Sequence, residues 1–184
     1  MRAITVTSDH RLQISEIPEP EPGDGEVLVD VDAAGVNRAD VAQAAGAYPP
    51  PPGASSILGL EVSGRRRDTG EPVVALLAGG GYAEVVAVPE SHVLPAPEGV
   101  DLVDAAGLIE VAATVVSNIV MEAGLPVDGS AKGQTVLVHG GTGGIGSFAI
   151  PFLHQLGARV LTTVGSDAAV ETVRAHGANM AWNR

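Results

Sequence analysis

The octapeptide HGGTGGIG, residues 139–146, follows the apolar run TVLV and opens the stretch GIGSFAIPFLHQLG. Gly141, Gly143 and Gly146 satisfy the spacing G-x-G-x-x-G between a strand pattern and a helix pattern. That spacing has a physical reason. The first glycine permits a tight turn, the second lets a pyrophosphate approach the backbone, and the third lets the helix pack close to the strand. Helix N-terminal N–H groups and their partial positive charge then face the phosphates. Gly141, Thr142, Gly143, Gly144, Ile145 and Gly146 are therefore expected to bind a dinucleotide. An ordinary glycine-rich turn is the plain alternative, and a further strand pattern after the helix argues against it. His139, at the strand end, reads as structural.

The next strand decides which dinucleotide. NAD sites usually carry Asp or Glu at its end, about 20 residues on. Here the strand ends TTVGS, with Val164 at the acidic position. Nothing there repels a 2′-phosphate; Ser166 can donate to one and Arg184 can pair with it. Asp167 is a mild objection, and NADPH is the expected cofactor.

These residues must be positioned by the elements around them. The strand, helix, strand, helix, strand order from Thr135 onward builds a parallel sheet. Pro151 is expected in the first turns of its helix. Upstream, DLVDAAGLIEVAATVVSNIVMEAG reads as one or two helices, opening on Asp101 as a cap and closing at Gly124; LPVDGSAKGQ is a linker by composition. Residues 1–95 read as mostly β. AITVT, RLQISEI and EVLVDVDA alternate, LEVSGRRR and EPVVALL flank the turn DTG, and GYAEVVAV is a further strand. RADVAQAAG is a short helix that Asn37 can cap, and YPPPPG is irregular. The expected division is a β domain with connecting helices over 1–124 and a dinucleotide domain over 125–184.

Composition narrows the class. The 184 residues are 45% hydrophobic but only 3% aromatic, so Val, Ala, Leu and Ile must build the core. No cysteine is present, which excludes disulfides and thiolate metal sites. The net charge of −12, with Lys132 the only lysine, argues against nucleic acid and anionic membranes as partners. Region 105–121 is apolar, but Glu110 and Asn118 interrupt it, and the N-terminus has no signal-type apolar block. The default expectation is a soluble, cytoplasmic protein.

Several stretches, in order, carry a family resemblance: EVLVDVDAAGVNRAD, YPPPPG, LGLEVSG, GGYAEVVAVP and VLVHGGTGGIGSFAI. The chain resembles the zinc-free quinone oxidoreductase, zeta-crystallin-like branch of the medium-chain dehydrogenase/reductase superfamily. Short-chain dehydrogenases are a poorer match, because the loop starts at residue 139 and no tyrosine follows it. The resemblance implies an α/β protein with a GroES-like β-barrel domain followed by a Rossmann domain. Asn37 stands where zinc-dependent relatives have Cys, and Gly59-Leu60-Glu61 where they have Gly-His-Glu, so no metal is expected. It further implies that Asn37 and Tyr48 line the substrate pocket as catalytic residues and that Thr114 lies near the nicotinamide. Two bland readings stay open: Asn37 only caps a helix, and Tyr48 only packs on prolines.

The function this implies is NADPH-dependent hydride transfer to a quinone or enone-type carbonyl, in a homodimer when complete. The alternative is a catalytically inactive, truncated nucleotide-binding module. Family members are longer, so the Rossmann domain is expected to be incomplete, with its first strand at an open edge and weak NADPH binding by these 184 residues alone. The segment SGRRRDTGEPVV is shorter than in the family, and its three arginines read as the solvated face of a hairpin.

Overall fold

The structure, a computed structural model, describes residues 1–184. They form two compact units, Met1–Glu110 and Val111–Arg184.

In the first unit, β1 (Arg2–Val6) and β2 (Leu12–Glu16) make an antiparallel hairpin. A second, curled antiparallel sheet contains β3 (Glu26–Ala34), β4 (Glu61–Arg66), β5 (Pro72–Leu76), β6 (Val85–Pro89) and β7 (Val93–Pro95), in the order β6-β3-β4-β5-β7. Alternation in β3 sends Val27, Val29 and Val31 to one face, where they pack with Val62, Val73, Ala75, Val86 and Val88. A register shift between Val31 and Ala33 bends β3 just before the site residues begin. Gly64, opposite Val31, sits so close to the Asp30 carbonyl that a Cβ would collide with it.

The arginine-rich turn is the expected hairpin between β4 and β5. Arg66 pairs with Asp68 and Glu90, and Arg67 with Glu19 and Asp30. Carboxylates thus already engage both side chains. Between β3 and β4 lies α1 (Arg38–Ala44); after β7 come α2 (Leu102–Ala105) and α3 (Ile109–Val115). Asp101 caps α2 as expected, accepting the Val103 N–H at 2.9 Å.

The second unit is a parallel sheet with the order β10-β9-β8: β8 (Thr135–His139), β9 (Arg159–Val164) and β10 (Met180–Asn183). α4 (Gly144–Gln155) and α5 (Asp167–Ala175) connect the strands. Val115, Val138, Ala149, Ile150, Leu153, Val160, Val164 and Val173 form its core, with no aromatic residue fully buried. β8 pairs only with β9, and Leu137 on it is 51% exposed.

Two local features differ from expectation. Pro151 lies in the interior of α4, because α4 already begins at Gly144. It therefore removes the bond that would run to the Ser147 carbonyl. After α3, Val116–Glu122 winds as a π-helix. The Ser117 hydroxyl (3.1 Å) and the Asn118 carboxamide (2.8 Å) both donate to the Thr114 carbonyl, the acceptor a regular α-turn would use. Gly124, with φ 70°, closes the helix as expected. Residues 102–122 are long and apolar enough to cross a membrane by length and composition alone. The helix is nevertheless interrupted between α2 and α3 and carries Glu110, whose N–H a buried carboxylate holds.

Candidate cofactor and substrate sites

The second unit gathers the expected cofactor residues at one end of its sheet. β8 and β9 run parallel with His139 opposite Thr163, so the glycine loop and the Val164-Gly165-Ser166 turn leave from the same carboxyl edge. β10 aligns Asn183 with Val164, and the Arg184 N–H donates to the Val164 carbonyl at 3.1 Å. Arg184 therefore lies beside the same turn. In an open parallel sheet, ligands bind beyond this edge.

Within the loop the glycines divide the work differently from the motif's usual assignment. The left-handed residue is Gly140, with φ 73°, one position ahead of the motif. Gly141 is needed for close packing, since a Cβ there would strike the Thr162 hydroxyl. Gly146 lets α4 press on the loop; its Cβ would lie 2.5 Å from the Gly140 carbonyl and 2.6 Å from Gly141 Cα. Gly143 is different. It is exposed, has an extended conformation open to any residue, and its Cβ would meet only the Gly140 carbonyl, at 3.3 Å. Gly143 is also the N-cap of α4 and offers no side chain to the first-turn N–H groups. α2 and α5, by contrast, are capped by Asp101 and Ser166. An uncapped helix N-terminus behind an exposed glycine loop suits an anion.

The turn after β9 carries no carboxylate at its tip, and Val164 is buried. Ser166 Oγ accepts the Ala169 N–H at 3.3 Å, which leaves its hydroxyl hydrogen free to donate outward. Asp167, the objection to a 2′-phosphate, accepts from the Asn183 carboxamide at 3.0 Å. His139 shares a hydrogen bond with the Thr163 hydroxyl at 3.1 Å, a role in holding the strand ends together. Thr114 is one turn beyond Val111, whose side chain would lie 3.6 Å from a Cβ at Gly144. Residues three apart share a helix face, so Thr114 is on the side of α3 that flanks the loop.

In the first unit Asn37 and Tyr48 have different surroundings. Asn37 is the N-cap of α1, and its N–H donates to Asp40 at 2.7 Å. Its carboxamide donates to Glu61 at 2.8 Å. Glu61 and Asp40 are both buried, at 1% and 3% exposure. Asp40 also accepts the Tyr82 hydroxyl at 2.8 Å and the Gly59 N–H at 3.3 Å. Partial burial, with Asp40 as hydrogen-bond partner, raises the Tyr82 pKa above its ordinary value. Tyr48 is 52% exposed, and no hydrogen bond joins it to Asn37. The chain leading to it is propped by His10, which adopts φ 61° and meets the Ala44 carbonyl at 3.0 Å. An apolar cleft of about 580 Å³ near Ile17, Pro51, Ala54 and Val86 contains neither residue.

Sequence reasoning missed Asp40, Glu61, Tyr82 and His10 as parts of this site. A charge at Glu61, inside the otherwise uncharged run ILGLEVSG, was the one available signal.

Residues 23–98 match the alcohol dehydrogenase GroES-like domain. A quinone oxidoreductase of Pseudomonas aeruginosa is 30% identical over 177 residues, which cover 91% of this chain and 53% of that protein. A phenolphthiocerol/phthiocerol polyketide synthase of Mycobacterium tuberculosis is 32% identical over 168 residues, 87% of this chain but only 7% of that protein. Among solved structures, the quinone oxidoreductase of Thermus thermophilus, described with its NADPH complex, superposes with a TM-score of 0.82 at 31% identity, covering all of this chain and 60% of that one. The chain thus spans about half the length of the quinone oxidoreductases it matches. A curled GroES-like sheet is followed in the chain by a parallel βαβ sheet, and the likenesses to known proteins indicate the quinone oxidoreductase branch of the medium-chain dehydrogenase/reductase superfamily.

Proposed function

We propose that these residues supply the cofactor loop and the acceptor-site side chains of an NADPH-dependent reductase that acts on quinones or enone-type carbonyls without a metal. The observation that carries this reading is the uncapped N-terminus of α4 behind Gly141–Gly146, beside a β9 turn that lacks a carboxylate. The α4 N–H groups and the loop backbone would hold the pyrophosphate. Ser166 and Arg184 would meet the 2′-phosphate, and Thr114 would lie by the nicotinamide. The bound cofactor supplies the hydride; the protein aligns the acceptor and donates hydrogen bonds to its oxygen.

The donors on hand support this acceptor class. The structure gathers no group of three or more His, Asp or Glu suited to a metal ion. Asn37 gives one carboxamide N–H to Glu61 and would offer the other to the acceptor, and Leu60 cannot ligate a metal. An acceptor that is already electrophilic, a quinone or a conjugated carbonyl, suits such a site better than a simple alcohol. The Tyr48 hydroxyl, exposed and without an intramolecular partner, is available to donate a hydrogen bond to an acceptor. The likeness to a segment of a polyketide synthase keeps conjugated carbonyls in the panel beside quinones.

The test is NADPH oxidation by the full-length gene product with a panel of quinones and enones. Turnover with NADPH preferred to NADH supports the proposal. Tight NADPH binding with no turnover on any acceptor overturns it in favour of a nucleotide-binding module without catalysis.

A further inference from the structure

We infer that Glu61 is the positioning residue for Asn37, turning its carboxamide so that an N–H, and not the carbonyl oxygen, faces the acceptor; this rests on the acceptor-site reading of Asn37 above. Glu61 is 1% exposed, and both of its oxygens are engaged. Oε1 accepts from the Asn37 carboxamide at 2.8 Å, and Oε2 accepts the Glu110 N–H at 3.0 Å. An acceptor at that position fixes which end of the carboxamide faces it. The space is reserved, because a Cβ on Gly35 would collide with the Glu61 carboxylate. The Asn37 main chain is tied separately, its N–H to Asp40 at 2.7 Å. Two different buried carboxylates therefore lock one half-buried residue, one at its backbone and one at its side chain.

A helix cap alone does not need this arrangement. Asp caps a helix as well as Asn does, yet Asp at 37 would set a second carboxylate against Glu61. The carboxamide nitrogen carries two hydrogens, of which Glu61 takes one. The other is left for a ligand. During reduction, negative charge grows on the acceptor oxygen, and a donor already held in place stabilises that charge without reorganising.

Two experiments on the full-length gene product test the assignment. The first is a double-mutant cycle of Asn37→Ala and Glu61→Gln. Each single variant should lower kcat/KM for the best acceptor by on the order of 10-fold or more, with NADPH affinity unchanged, and the pair should be no worse than the poorer single. Losses that multiply, or full activity in Glu61→Gln, overturn the inference. Full activity in Asn37→Ala removes instead the acceptor-site reading beneath it. The second experiment does not depend on how Glu61→Gln folds. Asn37→Asp keeps the cap but faces Glu61, with Asp40 and Tyr82 close by; it should be nearly inactive at neutral pH and recover in part on acidification, as the new pair takes up a proton. Wild-type activity in Asn37→Asp across the pH range would mean that Asn37 is only a cap.

Discussion

Gly143→Ala separates ligand approach from folding. The added methyl meets only the Gly140 carbonyl, at 3.3 Å, so the loop must give by a few tenths of an ångström. Its backbone, φ −77° and ψ 171°, suits alanine without strain. Replacing Gly where alanine fits tends to stabilise by about 0.4–1 kcal/mol through the unfolded chain, so the melting temperature should hold or rise slightly. The cofactor is affected differently. A methyl on the exposed side of the loop keeps a phosphate oxygen beyond hydrogen-bonding range of the first-turn N–H groups. Each charge-assisted bond is worth about 1.5–3 kcal/mol, so losing one weakens NADPH by roughly 10- to 100-fold. Gly146→Ala is the contrast. It meets backbone atoms at 2.5–2.7 Å, so α4 or the loop must retreat by almost 1 Å, and both stability and affinity should fall. Isothermal titration with NADPH and thermal melting of the full-length product read both quantities. Wild-type NADPH affinity in a folded Gly143→Ala protein would refute the loop's role.

Four further outcomes are expected. Tyr48→Phe keeps the ring and removes the hydroxyl; steady-state kinetics should show kcat down by roughly 10-fold or more with NADPH affinity unchanged, and unchanged kcat would reduce Tyr48 to packing. Ser166→Ala removes the α5 cap, which should cost about 1 kcal/mol in denaturant unfolding, and should narrow the preference for NADPH over NADH in parallel titrations. Tyr82 is held neutral in the folded state beyond the ordinary tyrosine range, so its bond to Asp40 stabilises fully below pH 10 and that contribution is lost as pH rises above it; in melts across this range Tyr82→Phe should be less stable at neutral pH and show a shallower alkaline decline. The 184 residues expressed alone should self-associate through the unpaired edge of β8, and Leu137→Lys should reduce that association in light scattering.

The parts legible in the sequence were those whose signal is local. Alternation announced β3, the DTG turn announced the β4–β5 hairpin, and glycine spacing between apolar runs announced β8, the loop and α4. Asp101 declared itself as a cap by type and position, whereas the Ser166 cap emerged only with the fold. What was hidden depends on folding. Asn37 and Glu61 are 24 residues apart, and only the pairing of β3 with β4 brings them together. Glu61 entered the sequence reading only as part of Gly59-Leu60-Glu61, and its partners could not be named from composition. The π-helix was hidden because it arises from competition for one carbonyl, that of Thr114, between side chains that suit an ordinary helix equally well. The left-handed glycine proved to be Gly140 because four of the loop's glycines flank one another, and spacing alone does not say which takes the turn.

The measurement that bears most directly on the account is the fate of the cofactor's hydrogen. The full-length product, treated with a strong chelator, would be given NADPH deuterated at its transferable position together with a quinone and an enone, and the products analysed by mass spectrometry and NMR. Metal-free hydride transfer predicts undiminished turnover after chelation and deuterium on the enone carbon that receives the hydride. Loss of activity on chelation that a divalent metal restores, or an enone product without deuterium, would contradict it.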